Sequence, residues 1–153
     1  MNALTNLFTP DCIALDNPAK DRDDAFAAAG ALFAKQIGID ANSVIEFLNA
    51  REELGSTALG AGVAIPHGRV KGLKQPAAAL IRLKDPIEFA APDGEPVKTL
   101  IFLLVPEKAT QQHLEILSSI AQLLSDADIR ETLSTSIDKT KVCELLQNWG
   151  NTK

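Results

Sequence analysis

Residues 100–105 form an unbroken apolar run, Leu100-Ile101-Phe102-Leu103-Leu104-Val105, which indicates the fold class. A strand with one buried face alternates apolar and polar side chains, but this run contains no polar residue. Continuous apolar strands are typical of sheets that are covered on both faces, and the covering elements are usually helices. The run therefore predicts a buried strand with a layer of helices on each side of its sheet.

A second strand is predicted over residues 77–83. The turn-forming residues Asp85-Pro86, Pro92-Asp93-Gly94 and Pro96 separate it from the apolar run. The chain has 153 residues, a length that suits one domain with a sizeable core. We expect an α/β (α+β) fold over residues 1–153, a single domain whose mixed parallel and antiparallel sheet has about five strands.

Two amphipathic helices are predicted before the strands. The first covers residues 20–37, where apolar residues recur at helical spacing after an acidic first turn and before Gly38. The second runs from about residue 40 to residue 51. Its start is marked either by Asp40 or by a capping box formed by Ser43 and Glu46.

Three helices are predicted after the strands. The first follows Thr110 as its N-cap, and its apolar line consists of Leu114, Leu117, Ala121 and Leu124. Two shorter helices are indicated by the apolar positions Ile129 and Leu133, and then Val142, Leu145 and Leu146.

Composition limits the compartment and the class of partner. The formal net charge of −5 disfavours a nucleic-acid partner and favours a basic protein partner. No segment approaches the ~20 apolar residues of a membrane span. Cys12 and Cys143 have no CxxC spacing, which indicates free thiols rather than a disulfide framework or a zinc site. We expect a cytoplasmic protein without metal or cofactor.

One of only two histidines stands in an unusual setting, Ile65-Pro66-His67-Gly68. Pro66 fixes its own φ, and Gly68 permits backbone geometry that other residues avoid. An imidazole with an ordinary pKa near 6.5 can act as a base, a ligand or a nucleophile at neutral pH. The setting predicts that the His67 side chain is exposed for chemistry. The alternative is that His67 is a polar residue that ends an edge strand. Residues 55–62 before it contain three glycines and predict a loop.

Two further residues are candidates for the same site. His113 falls in the first turn of the helix after Thr110, where unpaired N–H groups favour anions. Arg51 is placed at the end of the second helix. A single histidine at the position of His113 is more often a surface or capping residue than a functional one. A single arginine at the position of Arg51 more often stabilises the helix dipole.

Together these residues suit phosphoryl transfer. His67 would supply the nucleophile, His113 and Arg51 would supply groups that stabilise phosphate charge, and the glycine-rich loop would supply backbone donors. A nucleotide site is disfavoured because residues 55–62 lack the Lys-Ser/Thr ending of a P-loop and do not form a GxGxxG fingerprint. A metal site is disfavoured because no local histidine pair is present.

The sequence resembles the IIA proteins of the bacterial phosphoenolpyruvate-dependent phosphotransferase system, of the mannitol/fructose type, and most closely the nitrogen-regulatory members. The resemblance is carried by Arg51-Glu52-Glu53-Leu54-Gly55-Ser56-Thr57, by Ala64-Ile65-Pro66-His67-Gly68, and by Thr110-x-x-His113-Leu114 downstream. It implies a mixed sheet flanked by helices. It also implies that His67 is phosphorylated by a histidine phosphocarrier protein, that His113 orients the phosphoryl group, and that Arg51 neutralises its charge. Gly55, Ser56 and Thr57 match the loop beside that site.

The resemblance leaves three functions open. A nitrogen-type phosphocarrier would use its phosphorylation state to control regulatory targets such as potassium transporters or sensor kinases. A sugar-specific IIA component would pass phosphate to a IIB domain for fructose or mannitol uptake. A degenerate domain would bind partners without carrying phosphate. The absence of IIB or membrane segments from the chain favours the first function.

Overall fold

The strand that was predicted to be buried lies in the middle of the sheet. The computed structural model describes residues 7–108 and 111–149, and its sixth strand, β6, spans Val97–Pro106. Residues 99–105 are all buried. Alternate β6 side chains enter two different hydrophobic cores: Leu100, Phe102 and Leu104 enter one, and Ile101, Leu103 and Val105 enter the other. The prediction of a strand covered on both faces is therefore confirmed.

The described residues form five further strands of the same sheet. They are β1 (Ile13–Asn17), β2 (Ala58–Gly60), β3 (Val63–Ala64), β4 (His67–Val70) and β5 (Ala77–Ile87). The order across the sheet is β1-β5-β6-β3-β2, and β4 also pairs with β6. β5 is antiparallel to β6, whereas β3 and β4 are parallel to it. The sheet is mixed as predicted, with six strands among the described residues.

Within residues 7–108 and 111–149, five α-helices cover the sheet, and a short 3-10 helix, Pro10–Cys12, precedes β1. The α-helices are α1 (Arg22–Ile37), α2 (Ala41–Glu52), α3 (Gln111–Leu124), α4 (Ala127–Thr135) and α5 (Lys139–Asn148). Side chains of α1 and α2 fill one core, and side chains of α3, α4 and α5 fill the other. Full burial of one Leu, Ile or Phe side chain contributes roughly 1.5–3 kcal/mol, so the two cores account for most of the driving force.

The helix boundaries follow from their caps. Asp21 begins α1 by accepting a hydrogen bond from the Asp24 N–H, and Gly38 ends it in the left-handed region at φ 71°. Asp40 begins α2 by accepting from the Ser43 N–H. Of the two predicted starts for α2, Asp40 is therefore the cap. The predicted cap of α3, Thr110, lies outside the described residues.

Three local predictions are wrong. Asp85-Pro86 lies inside β5 rather than in a turn, because the β5–β6 register shifts between Arg82 and Ile87 and leaves room for a proline. Residues 55–62 include the short strand β2, which pairs with β3. Leu114, predicted in the core, is 54% exposed, because α3 is rotated so that Ile116, Ile120 and Leu123 face the core.

The described helices include none with the length and apolar character needed to cross a bilayer.

Candidate active site

A cavity of about 500 Å³ brings together the three residues that the sequence singled out. Arg51 reaches it from the end of α2, His67 from the start of β4, and His113 from the first turns of α3. Apolar side chains form much of the remaining wall: Phe47, Leu54, Leu103, Val105, Leu114 and Leu117. Residues far apart in the chain thus line one cavity.

The sheet itself positions His67. β3 and β4 are two parts of one line beside β6, interrupted at Ile65-Pro66. Pro66 has no N–H to donate, but its carbonyl accepts from the Leu103 N–H at 3.0 Å. Pairing then resumes with His67 opposite Leu103. The imidazole is therefore held on a strand end that is hydrogen-bonded to the centre of the sheet.

Gly68 lets helix α2 approach this strand. A Cβ atom at position 68 would lie 3.1 Å from the Phe47 carbonyl oxygen, which is closer than most real contacts. Only glycine leaves this space for the backbone of α2, whose last turn carries Arg51. The residue after the histidine thus sets the distance between the two elements that supply His67 and Arg51.

The hydrogen bond of His67 identifies its tautomer. The ring Nδ1 lies 2.8 Å from the Ile65 carbonyl oxygen. A carbonyl oxygen only accepts, so Nδ1 carries the hydrogen and Nε2 carries the lone pair. Burial lowers the pKa of His67, and the Arg51 charge lowers it further, while the Ile65 hydrogen bond and the Glu52 charge act in the opposite direction. The imidazole is accordingly neutral and nucleophilic at pH 7.

Arg51 is held at the end of its helix by the loop that follows. Its Nη1 donates to the Gly55 carbonyl at 2.8 Å. The chain turns there through a hydrogen bond from the Gly55 N–H to the Glu52 carbonyl at 3.1 Å. The guanidinium charge is thus oriented by a neutral acceptor and is not neutralised by that contact.

The hydroxyl groups of the loop are used internally. A second cavity of about 390 Å³ adjoins the first, because both are lined by Arg51 and His67, and Ser56 and Thr57 line the second. The Ser56 hydroxyl donates to the Phe89 carbonyl at 2.8 Å, and the Thr57 hydroxyl donates to Glu52. The Gly55 carbonyl accepts the hydrogen bond from Arg51. A role for the loop in phosphate binding stays a prediction.

Sequence reasoning missed two residues of this site. Glu52 is only 5% exposed, and its Oε2 accepts from the Thr57 N–H at 2.9 Å. The missed signal was its spacing, because Glu52 continues the helical line of buried Val44 and Leu48. Arg69 follows His67 by two residues on β4, so both side chains point to the same face, and Arg69 also lines the first cavity.

Comparison with known proteins identifies the family to which the chain belongs. Residues 6–149 match the family described as "Phosphoenolpyruvate-dependent sugar phosphotransferase system, EIIA 2". A nitrogen regulatory protein of Pseudomonas aeruginosa is 40% identical over 137 residues, which cover 89% of each chain.

Two solved structures show the same fold. The nitrogen regulatory protein IIA-Ntr of Neisseria meningitidis superposes with a TM-score of 0.90 at 43% identity, over 95% of this chain and 99% of that one. The mannitol IIA enzyme of Escherichia coli, solved in complex with phosphorylated mannitol IIB, gives 0.76 at 21% identity, over 91% of this chain and 96% of that one. The chain belongs to the EIIA type 2 family of the phosphoenolpyruvate-dependent phosphotransferase system.

Proposed function

We propose that this protein is a phosphocarrier that accepts a phosphoryl group on Nε2 of His67 from a histidine phosphocarrier protein. The observation that carries the proposal is the hydrogen bond from Nδ1 to the Ile65 carbonyl, 2.8 Å long, in a cavity that Arg51 and His113 also line. It leaves the Nε2 lone pair as the nucleophile of the ring.

The transfer needs no proton movement at His67. The Nε2 lone pair forms a bond to phosphorus while the phosphorus–nitrogen bond of the donor's phosphohistidine breaks. The electron pair of that bond returns to the donor imidazole, and the hydrogen of His67 stays on Nδ1, hydrogen-bonded to the Ile65 carbonyl. The lowered pKa of His67 favours this step because the neutral ring is the reactive form.

Arg51 and His113 stabilise the phosphoryl group in this proposal. Phosphoryl transfer relies on groups that neutralise the equatorial oxygens, and an arginine at a helix end suits this task. Gly55, Ser56 and Thr57 support the site by shaping the loop that receives Arg51. The chain acts as a relay and does not turn over a small molecule by itself.

The rim of the site suits transient docking. Leu54, Leu59 and Leu114 are 84%, 46% and 54% exposed, and each lines one of the two cavities. Phosphorylation of His67 adds roughly −1.5 to −2 charges beside this apolar rim. A partner that packs on the rim would therefore distinguish the two states of the protein.

The physiological role that we propose is regulatory. The nitrogen regulatory relatives cover most of this chain at higher identity than the mannitol enzyme, which supports a regulatory role. In this role the protein acts in the cytoplasm, and its targets are proteins such as potassium transporters or sensor kinases, as the family resemblance implies. A sugar-specific IIA component that passes phosphate to a IIB domain is the alternative, supported by the family description itself. A phosphate transfer assay with candidate IIB domains distinguishes the two roles.

The test of the acceptor is replacement of His67. We expect that His67→Ala abolishes labelling by radioactive phosphoenolpyruvate and the general relay proteins, while His113→Ala retains a label. The phosphate on His67 should be acid-labile and base-stable. Undiminished labelling of His67→Ala would place the acceptor elsewhere, and an unlabelled wild-type protein would leave a domain that only binds partners.

A further inference from the structure

A buried carboxylate lies behind the reactive histidine. Glu52 is 5% exposed, and both of its oxygens accept from Thr57: Oε2 from the N–H at 2.9 Å and Oε1 from the hydroxyl. Burial of a carboxylate is costly unless hydrogen bonds compensate for the lost water. The phosphoryl transfer derived above assigns no task to this residue.

Hydrogen bonds connect Glu52 with the ring of His67. Thr57, which Glu52 binds, accepts from the Ile65 N–H through its carbonyl at 3.1 Å. Ile65 in turn accepts the Nδ1 hydrogen of His67 at 2.8 Å. We call Glu52, Thr57, Ile65 and His67 the relay. These hydrogen bonds fix the positions of the four residues relative to one another.

Charges of both signs act on the ring. Arg51, on α2, opposes a positive charge on His67, and Glu52, on the next residue of the same helix, favours it. Arg69 on β4 and His113 on α3 line the cavity from its other sides. Cations around the cavity stabilise the negative charge of a phosphoryl group. They also destabilise the positive charge that the imidazole acquires when Nε2 bonds phosphorus and Nδ1 stays protonated. A buried anion behind the ring offsets that effect.

We propose that Glu52 is a positioning residue for the phosphoryl acceptor, which acts through the relay to hold the Nδ1–H tautomer and to stabilise the cationic phosphoimidazole. The proposal rests on the proposed function for its second half. The first half concerns the unphosphorylated protein and is testable separately.

The first test compares Glu52→Gln with Glu53→Gln, an adjacent, exposed residue that undergoes the same charge change. Nitrogen-15 NMR of the unphosphorylated proteins reports the pKa and the tautomer of His67. The Glu52 charge raises the pKa of His67. We therefore expect His67 to titrate at lower pH in Glu52→Gln than in wild type, and at the wild-type pH in Glu53→Gln. A loop that merely loosens would hydrate the ring and move its pKa up towards ~6.5. An upward shift, or none, overturns the proposal.

The same variants are tested for phosphoryl acceptance. We expect Glu52→Gln to accept phosphate about tenfold more slowly than wild type, the effect of one pKa unit of interaction with the charged ring. Equal rates for Glu52→Gln and Glu53→Gln would contradict the proposal. A wild-type protein that is not labelled on His67 would instead contradict the proposed function, while the NMR result would still decide whether the relay holds the tautomer.

A second pair of variants covers the case in which Glu52→Gln does not fold. Thr57→Val removes the hydroxyl donor but keeps the N–H and the Glu52 charge, whereas Thr57→Ser keeps the hydroxyl. We expect Thr57→Val to lose part of the Nδ1–H tautomer and of the acceptance rate, and Thr57→Ser to recover most of both. Identical behaviour of the two variants would exclude the hydroxyl contact from the relay.

Discussion

The chemistry of the site depends on which nitrogen of His67 bears hydrogen. The Ile65 carbonyl decides this, because it accepts from Nδ1 at 2.8 Å and leaves Nε2 basic. Burial and Arg51 lower the pKa of the ring and so keep it neutral. In the transfer that we propose, the neutral ring is therefore ready to act as the nucleophile before any partner binds.

The lowered pKa of His67 makes a prediction about pH. The neutral ring should persist below the ordinary value of ~6.5, so we expect its NMR titration midpoint to lie at lower pH than that of a histidine in an unfolded chain. The unfolded chain then binds this proton more readily than the folded one. The stability contribution is therefore fully present above ~6.5 and is lost as pH falls towards the folded pKa. Comparison of wild type with His67→Gln in denaturation at several pH values checks the sign; a greater stability loss in His67→Gln on acidification would contradict it.

His113 lines the same cavity as His67 but is not the acceptor in our proposal. We expect His113→Ala to be phosphorylated on His67 more slowly, or to give a phosphoprotein of shorter half-life, by roughly a hundredfold or more, the scale on which the loss of a single stabilising donor acts. Rapid-quench labelling and the decay of the isolated phosphoprotein measure the two effects. Wild-type values for both would remove His113 from the site.

At the scale of elements, the site lies where α2 ends against β4. The helix supplies Arg51 and Glu52 on adjacent residues, one lining the cavity and the other buried. The strand resumes at His67 after the Ile65-Pro66 interruption. The close approach at Gly68 sets the spacing of these two elements, so the alignment of the site is sensitive to a single methyl group.

Gly68→Ala tests this spacing. The new Cβ would lie 3.1 Å from the Phe47 carbonyl oxygen, so we expect a loss of about 1–3 kcal/mol in the free energy of unfolding and slower phosphorylation of His67. Gly30→Ala is a suitable control, because its Cβ would lie 2.9 Å from the Ala41 carbonyl oxygen, where α1 packs on α2 away from the cavity. Both should be destabilised in urea denaturation, but only Gly68→Ala should lose acceptance rate while folded. Equal rates in the two variants would show that the spacing at Gly68 is unimportant for transfer.

At the scale of the whole molecule, the sheet carries two cores, and the buried cation Arg82 connects strands β1 and β5 with helix α4. Arg82 on β5 is 3% exposed; its guanidinium donates to the carbonyls of Leu133 and Ser136 at the end of α4 and pairs with Asp16 of β1 at 3.0 Å. These contacts satisfy carbonyls that the helix leaves without partners. Arg82 therefore stabilises the fold at a distance from the phosphoryl site.

Arg82→Leu should cost about 3 kcal/mol of unfolding free energy, because two carbonyl groups lose their donor in a buried setting. Asp16→Asn is the control, since the Asp16 side chain is 65% exposed and its loss as an ion-pair partner should cost less than about 1 kcal/mol. Urea denaturation midpoints measure both. Similar losses of unfolding free energy in the two variants would mean that Arg82 stabilises the fold through the ion pair with Asp16 and not through the carbonyls at the end of α4.

Much of the architecture was accessible from sequence because it depends on local chemistry. The apolar run in β6 indicated two covered faces, and an acidic first turn and Gly38 marked the ends of α1. The strands β1, β2, β3 and β4 were missed because strands of two to five residues carry too little periodicity. Pro86 was misread because a register shift that admits a proline depends on the partner strand.

The sequence by itself determined the residue types of the site and the family motif that holds them, since His67, Arg51 and His113 stand in patterns that local spacing makes visible. Packing alone established that these residues line one cavity, that Nδ1 rather than Nε2 of His67 carries the hydrogen, and that Glu52 is buried where its charge acts on the ring. The physical reason is that tautomer, burial and electrostatic field depend on atoms brought close by packing, and such atoms are not neighbours along the chain.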